Sequence, residues 1–167
     1  FLFKLVYGLA DKNFVLASQF KEDLISLGFN SNSIIVTTTM YQPSQIFPKE
    51  TRIGKKPRFL FLGRISEAKG VGELIKAGKI LADSGYDFEC YIVGHGDRKG
   101  IVESFERQVA DGKLSDRIKF PGRLVDDEKF KMYANSDVFV LPSWTEGCPN
   151  SVLEALGSGL FVVSTDV

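Results

Sequence analysis

An α/β fold, a Rossmann-like doubly wound parallel sheet with helices on both faces, is what this sequence predicts, and three observations predict it. From Arg58 onward, short apolar runs alternate with amphipathic segments. Glycine-bearing loops stand where an apolar run gives way to the next amphipathic segment. With 167 residues, 44% of them hydrophobic and 25% charged, the chain can build a core of ordinary size. Strands alternating with helices imply right-handed βαβ units and a parallel sheet, whose ligands sit beyond the carboxyl ends of the strands.

Taken in order, residues 1–10 place Leu2, Leu5, Val6 and Leu9 at helical spacing. Residues 12–17 read as a short buried strand, and Ser18 as the N-cap of a helix reaching about Leu27, with Gly28 at its C′ position. Residues 33–37 form another strand. Pro43, Pro48, Gly54 and Pro57 then break all periodicity, so residues 41–57 read as a linker between the piece at 1–40 and the main domain at 58–167. The main domain's strands are expected at 58–63, 88–94, 117–120, 137–142 and 160–164, and its helices at 71–84, 98–110, 126–134 and 150–158. Val71, Leu74, Ile75, Leu81 and Ala82 share one face of the first of these helices, which Gly85 closes.

Charge narrows the function. Lysine plus arginine number 21, as do aspartate plus glutamate, and no basic stripe is visible. Nucleic-acid binding through the phosphate backbone is therefore disfavoured, while a local anion site stays open. Cys90 lies in an apolar run and Cys148 in a loop, which suggests neither a disulfide scaffold nor a zinc site and fits a reducing, cytosolic setting. No apolar run approaches the roughly 20 residues that span a bilayer. The first residues lack a charged leader and carry Lys4 and Asp11, so they read as a mid-chain helix exposed by truncation, not a signal peptide.

Four strand-to-helix loops could carry chemistry. In the first, Gly63 to Gly70, Arg64 and Lys69 are two cations five residues apart that could clamp a diphosphate; on spacing alone the loop reads as a solvated turn, and it is not a Walker loop. In the second, Gly94, Gly96 and Gly100 let backbone approach a ligand, but their spacing is one residue longer than the dinucleotide fingerprint and follows the wrong strand. His95, the only histidine, reads as a surface residue. In the third, Gly122 and Arg123 look like a turn at a strand end. The fourth runs from Pro142 into a helix and carries Glu146 and Glu154 with seven residues between them. Exposed N–H groups near Gly147, Cys148, Asn150 and Ser151 would make an anion site at the helix start. Carboxylates accept from sugar and ribose hydroxyls, whereas amides and cations take phosphates. The competing readings are structural: Ser151 and Glu154 match a capping box, and Glu146 could favour the positive helix end.

As an ordered set, FLGRISEAKG, YIVGHGDRKG, IKFPGRL, KMYANSDVFVLPSWTEGCPNSVLEALGSG and FVVSTDV resemble the C-terminal domain of the GT-B-fold retaining glycosyltransferases of family 4, glycosyl transferases group 1. The resemblance covers Arg58 to Val167 and is looser before residue 50. It implies a nucleotide-diphosphate sugar donor and no cofactor or metal. Arg64 and Lys69 would hold the diphosphate, Glu146 the transferred sugar and Glu154 the ribose hydroxyls. The amides from Gly147 to Ser151 would hold sugar hydroxyls and phosphate, Gly63, Gly94 and Gly96 would line the cleft, and Gly122 and Arg123 would lie near the base. It further implies hexosyl transfer with retention in polysaccharide biosynthesis, to a saccharide, lipid-linked or protein acceptor held by an N-terminal lobe. The setting implied is cytoplasmic, with peripheral association at the inner membrane face left open.

The sequence departs from the family's pattern in several places. Gly159-Leu160-Phe161-Val162-Val163 stands where many relatives have Gly-x-Pro-Val-Val, and the linker lacks the family's Asn-Gly turn. The family continues beyond the equivalent of Val167, and most of the N-terminal lobe is missing, so this piece alone is expected to transfer no sugar. A non-catalytic nucleotide-sugar-binding subunit stays open as an alternative. An NAD(P)-dependent oxidoreductase ranks last.

Overall fold

The computed structural model describes residues 2–37 and 56–167. The linker expected at 41–57 lies, up to residue 55, outside the described residues. Two compact units emerge: Phe1–Tyr41 with Gly147–Asn150, and Gln42–Glu146 with Ser151–Val167.

In the first unit, α1 (Leu2–Tyr7) precedes β1 (Asn13–Val15), α2 (Ser18–Ser26), a 3-10 turn and β2 (Ile34–Val36). The two strands pair in parallel, Phe14 opposite Ile35. Two local expectations need correction. Ser18 is the first residue of α2 rather than its cap: Ala17 takes the extended N-cap conformation and no side chain caps the helix. The strand at β1 forms but is not buried, since Phe14 is 67% exposed. A two-stranded sheet has too few neighbours to enclose a three-residue strand. At the other end of α2, Gly28 does take a left-handed φ of 85°. Its N–H donates to the Ile25 carbonyl and that of Phe29 to Leu24, the double bond that closes a helix end.

The second unit is the doubly wound sheet. Its elements are β3 (Arg58–Leu62), α3 (Val71–Asp83), β4 (Glu89–Val93), α4 (Ile101–Asp111), β5 (Ile118–Gly122), α5 (Asp126–Ala134), β6 (Val138–Leu141), α6 (Asn150–Gly157) and β7 (Phe161–Ser164). The strand order is β5-β4-β3-β6-β7, with every pair parallel. The chain therefore builds outward from β3 to β5, returns, and builds outward again from β6 to β7. Right-handed crossovers place α3 and α4 on one face and, because the direction reverses, α5 and α6 on the other. Leu60, Phe61, Ile92, Phe105, Tyr133 and Phe139 form the middle of the core, each no more than 2% exposed.

Boundaries moved for identifiable reasons. The sequence places the start of the second helix of this unit at Arg98; α4 starts at Ile101, because Gly100 sits at φ 81° as its N-cap. β5 continues through Pro121 to Gly122, beyond the expected end at Phe120. It is an edge strand, so proline's missing N–H removes no ladder bond. Phe161 opens β7, also an edge strand, and is 78% exposed.

Candidate functional site

The reversal of strand order falls between β3 and β6. At such a point the loops leaving two adjacent strands diverge and leave a crevice at their carboxyl ends. The loop after β3 carries Arg64 and Lys69; the loop after β6 carries Glu146.

Close backbone contacts set these loops. Gly70 has a φ of 68°, and a Cβ there would stand 1.9 Å from the Pro142 carbonyl oxygen, so only glycine allows the loops after β3 and β6 to touch. The Trp144 N–H donates to the Ala68 carbonyl at 2.9 Å across the same junction. The loop after β4 is joined to the first loop as well: Ile65 bridges Gly96, its N–H donates to the His95 carbonyl at 2.8 Å, and a Cβ on Gly94 would lie 1.8 Å from the Gly63 oxygen. Gly94 and Gly96 therefore have a packing role. Gly122, at φ 83°, pairs with Val93 and accepts from the Gly94 N–H.

Lys69 and Glu146, assigned to different parts of the donor, touch each other: Nζ donates to Oε1 at 2.6 Å. The buried Ser143 hydroxyl donates to the same oxygen at 2.6 Å. Both bonds converge on Oε1, so among the described residues Oε2 keeps its acceptor capacity. Glu146 is therefore held by a cation and a serine.

Gly63, Arg64, Gly94 and Arg123 come together around a cleft of about 300 Å³, with His95 and Leu124 beside them. Arg64 and Arg123 are exposed, and among the described residues neither guanidinium makes an ion pair. Two cations with no ion pair among the described residues, on a cleft at the sheet's carboxyl edge, suit an anion. A larger cavity of about 480 Å³ in the first unit is lined by Tyr7, Phe14, Phe20 and Leu24 among others, and holds none of the expected residues.

Glu154 lies in α6 but does not form the capping box. Its Oε1 accepts from Lys129 Nζ at 2.7 Å and its Oε2 from the Tyr133 hydroxyl at 3.0 Å. Burial and the adjacent Glu154 charge push the Tyr133 phenol well above its ordinary range, so it remains a proton donor. Lys129 and Tyr133 escaped the sequence reading. Their four-residue spacing on α5 places them on one helix face, but nothing local marks that face as turned to Glu154. Gly147 and Cys148 occupy the loop before α6, Asn150 is the helix's first residue, and the Ser151 carbonyl lies 3.2 Å from the Tyr133 hydroxyl. Neither Cys90 nor Cys148 is in a disulfide. Among the described residues, no three His, Cys, Asp or Glu side chains cluster as metal ligands, and no helix is long and apolar enough to cross a membrane.

Comparison with known proteins adds to this geometry. The chain is 34% identical over 150 residues to the amylovoran biosynthesis glycosyltransferase AmsK of Erwinia amylovora, covering 86% of this chain and 36% of that protein. A glycosyltransferase from Rickettsia africae ESF-5 superposes with a TM-score of 0.84 at 19% identity, over 99% of this chain and 48% of that one. Anabaena Alr3699/HepE, solved in complex with UDP and glucose, superposes with a TM-score of 0.78 at 18% identity, over 95% of this chain and 45% of that one. The chain thus spans less than half the length of each. The solved structures share the GT-B architecture of the sheet described above. Residues 56–167, which carry every strand of the doubly wound sheet, match the family model, and the chain belongs to the glycosyl transferases group 1.

Proposed function

We propose that this chain is the donor-binding part of a glycosyltransferase that takes a hexose from a nucleotide-diphosphate sugar. The observation that carries the reading is the pairing of Lys69 with Glu146 at the strand-order reversal, where a cation and a hydroxyl acceptor share one crevice. UDP bound in the Anabaena neighbour supports a nucleoside diphosphate as the ligand class.

The chemistry follows from charge. Breaking the bond between the sugar's anomeric carbon and the diphosphate sends the electron pair to the diphosphate. Arg64 and Lys69 oppose that charge where it forms, and fixed charges need no reorganisation as the bond breaks. The acceptor hydroxyl attacks from the face the diphosphate leaves and gives its proton to the departing diphosphate oxygen, which retains the anomeric configuration. The two cations supply the neutralisation that a metal would otherwise give. Glu146 Oε2 accepts from a sugar hydroxyl and Glu154 from the ribose. Saccharide, lipid-linked or protein acceptors would be held elsewhere in a longer protein.

A thermal-shift panel of UDP, GDP, ADP, CMP and NAD tests this, because a ligand that binds only the folded state raises its apparent stability. The reading predicts stabilisation by at least one nucleoside diphosphate and none by NAD. Stabilisation by NAD alone would overturn it.

A further inference from the structure

The geometry around Glu154 goes one step beyond the donor reading and rests on it. The carboxylate is only 17% exposed, and each of its oxygens already has one partner. A carboxylate offers about four lone-pair positions, so Lys129 and Tyr133 leave roughly two, one on each oxygen. That is the number a vicinal diol requires. Lys129 also cancels a negative charge that would otherwise repel a nearby diphosphate. Its ammonium is itself held, 4.4 Å from the Phe130 ring centroid. The Tyr133 hydroxyl has a single proton and two candidate acceptors. The bond to Glu154 is the shorter and the charge-assisted one, 3.0 Å against 3.2 Å to the Ser151 carbonyl. Tyr133 is fully buried and Lys129 mostly so, and both rise from one turn of α5, so the carboxylate is fixed from a rigid element.

We propose that Lys129 and Tyr133 are positioning residues that hold Glu154 as a two-point acceptor for the cis-diol of a ribose, and so set a preference for ribonucleoside over 2′-deoxyribonucleoside diphosphates. Helix α5 thereby governs sugar discrimination through α6.

The test titrates UDP, GDP and ADP, each against its 2′-deoxy counterpart, and pyrophosphate, into the wild type, Lys129→Met, Lys129→Arg and Tyr133→Phe. A hydrogen bond to a charged group is worth about tenfold in affinity or more. The wild type is expected to favour the ribonucleotide by at least that factor. Lys129→Met should reduce the preference to within about twofold, with any loss of pyrophosphate affinity shared equally by the ribonucleotide and its 2′-deoxy counterpart, and Lys129→Arg should retain it. Tyr133→Phe should lower it part of the way, and melting curves establish that each variant is folded. Full discrimination in both Lys129→Met and Tyr133→Phe would overturn the positioning role and leave the donor reading intact. A wild type that binds the nucleotides without discrimination would also overturn the role. Failure of the wild type to bind any nucleoside diphosphate or pyrophosphate would overturn the donor reading and this inference with it.

Discussion

Glu146 and Glu154 look alike in the sequence, yet the structure separates them by their partners. Glu146 leans on Lys69 and Ser143 in the crevice; Glu154 leans on Lys129 and Tyr133 between two helices. Partly buried ion pairs add little net stability, but removing one member leaves the other charge uncompensated. Lys69→Ala is therefore expected to weaken nucleoside-diphosphate binding by tenfold or more, since it removes a cation and bares a carboxylate at once. Lys69→Ala combined with Glu146→Gln should recover part of that loss, a non-additivity that calorimetric titration of the four proteins would read. Strict additivity would mean the two side chains do not act as a unit. Arg64, Lys69, Glu146 and Glu154 emerged as candidates from the ordered set of motifs that resembles the family, not from the spacing within any one loop. Their supporting residues were not legible in the sequence: Ser143 looks like any loop serine, and Lys129 and Tyr133 meet Glu154 only through the packing of α5 on α6.

At the level of elements, periodicity served well where burial is one-sided. Helix α3 buries Val71, Leu74 and Ile75 as its spacing predicts, and Gly85 closes it at φ 82°. The misplacements have backbone causes. Gly100 caps α4 from a left-handed conformation that apolar spacing does not register, and Pro121 is tolerated in β5 only because that strand is an edge. The tightest constraint lies at Gly70, between β3 and α3. Gly70→Ala combines a positive φ with a Cβ 1.9 Å from the Pro142 oxygen, so the loops after β3 and β6 must separate. We expect a cost of about 2 kcal/mol or more, a fall in melting temperature of several degrees, and weakened nucleotide binding. Gly85→Ala, whose Cβ would meet nothing within 4 Å, should cost less. Equal melting temperatures for the two variants would contradict this account of the junction.

For the whole molecule, the sheet that aligns the loops also buries groups that must stay neutral. Burial pushes the Cys90 thiol from 9.0 up to about 12. Above pH 9 the unfolded chain then sheds a proton that the folded chain keeps, so stability is intact below pH 9 and falls as pH rises toward 12, by up to about 1.4 kcal/mol per unit. Cys90→Ala should flatten that decline in denaturant titrations. Tyr133, shifted in the same direction, adds to it above pH 10. The alternation of strands and helices was visible in the sequence because each βαβ unit repeats one local pattern. The strand order, which creates the crevice, depends on long-range pairing that no local pattern encodes. The far end of the sheet provides an internal control: Arg58 is tied to Glu89 at 2.7 Å and to the Asn135 carbonyl at 3.0 Å, beneath the amino ends of the strands. The measurement that tests the central claim most directly is calorimetric titration of the nucleoside diphosphate that best stabilises the protein into wild type, Arg64→Ala and Arg58→Ala. The donor reading predicts binding that is weakened tenfold or more in Arg64→Ala and preserved in Arg58→Ala, whose loss should appear only in the melting temperature. Binding that survives unchanged in Arg64→Ala would place the ligand elsewhere and contradict the account.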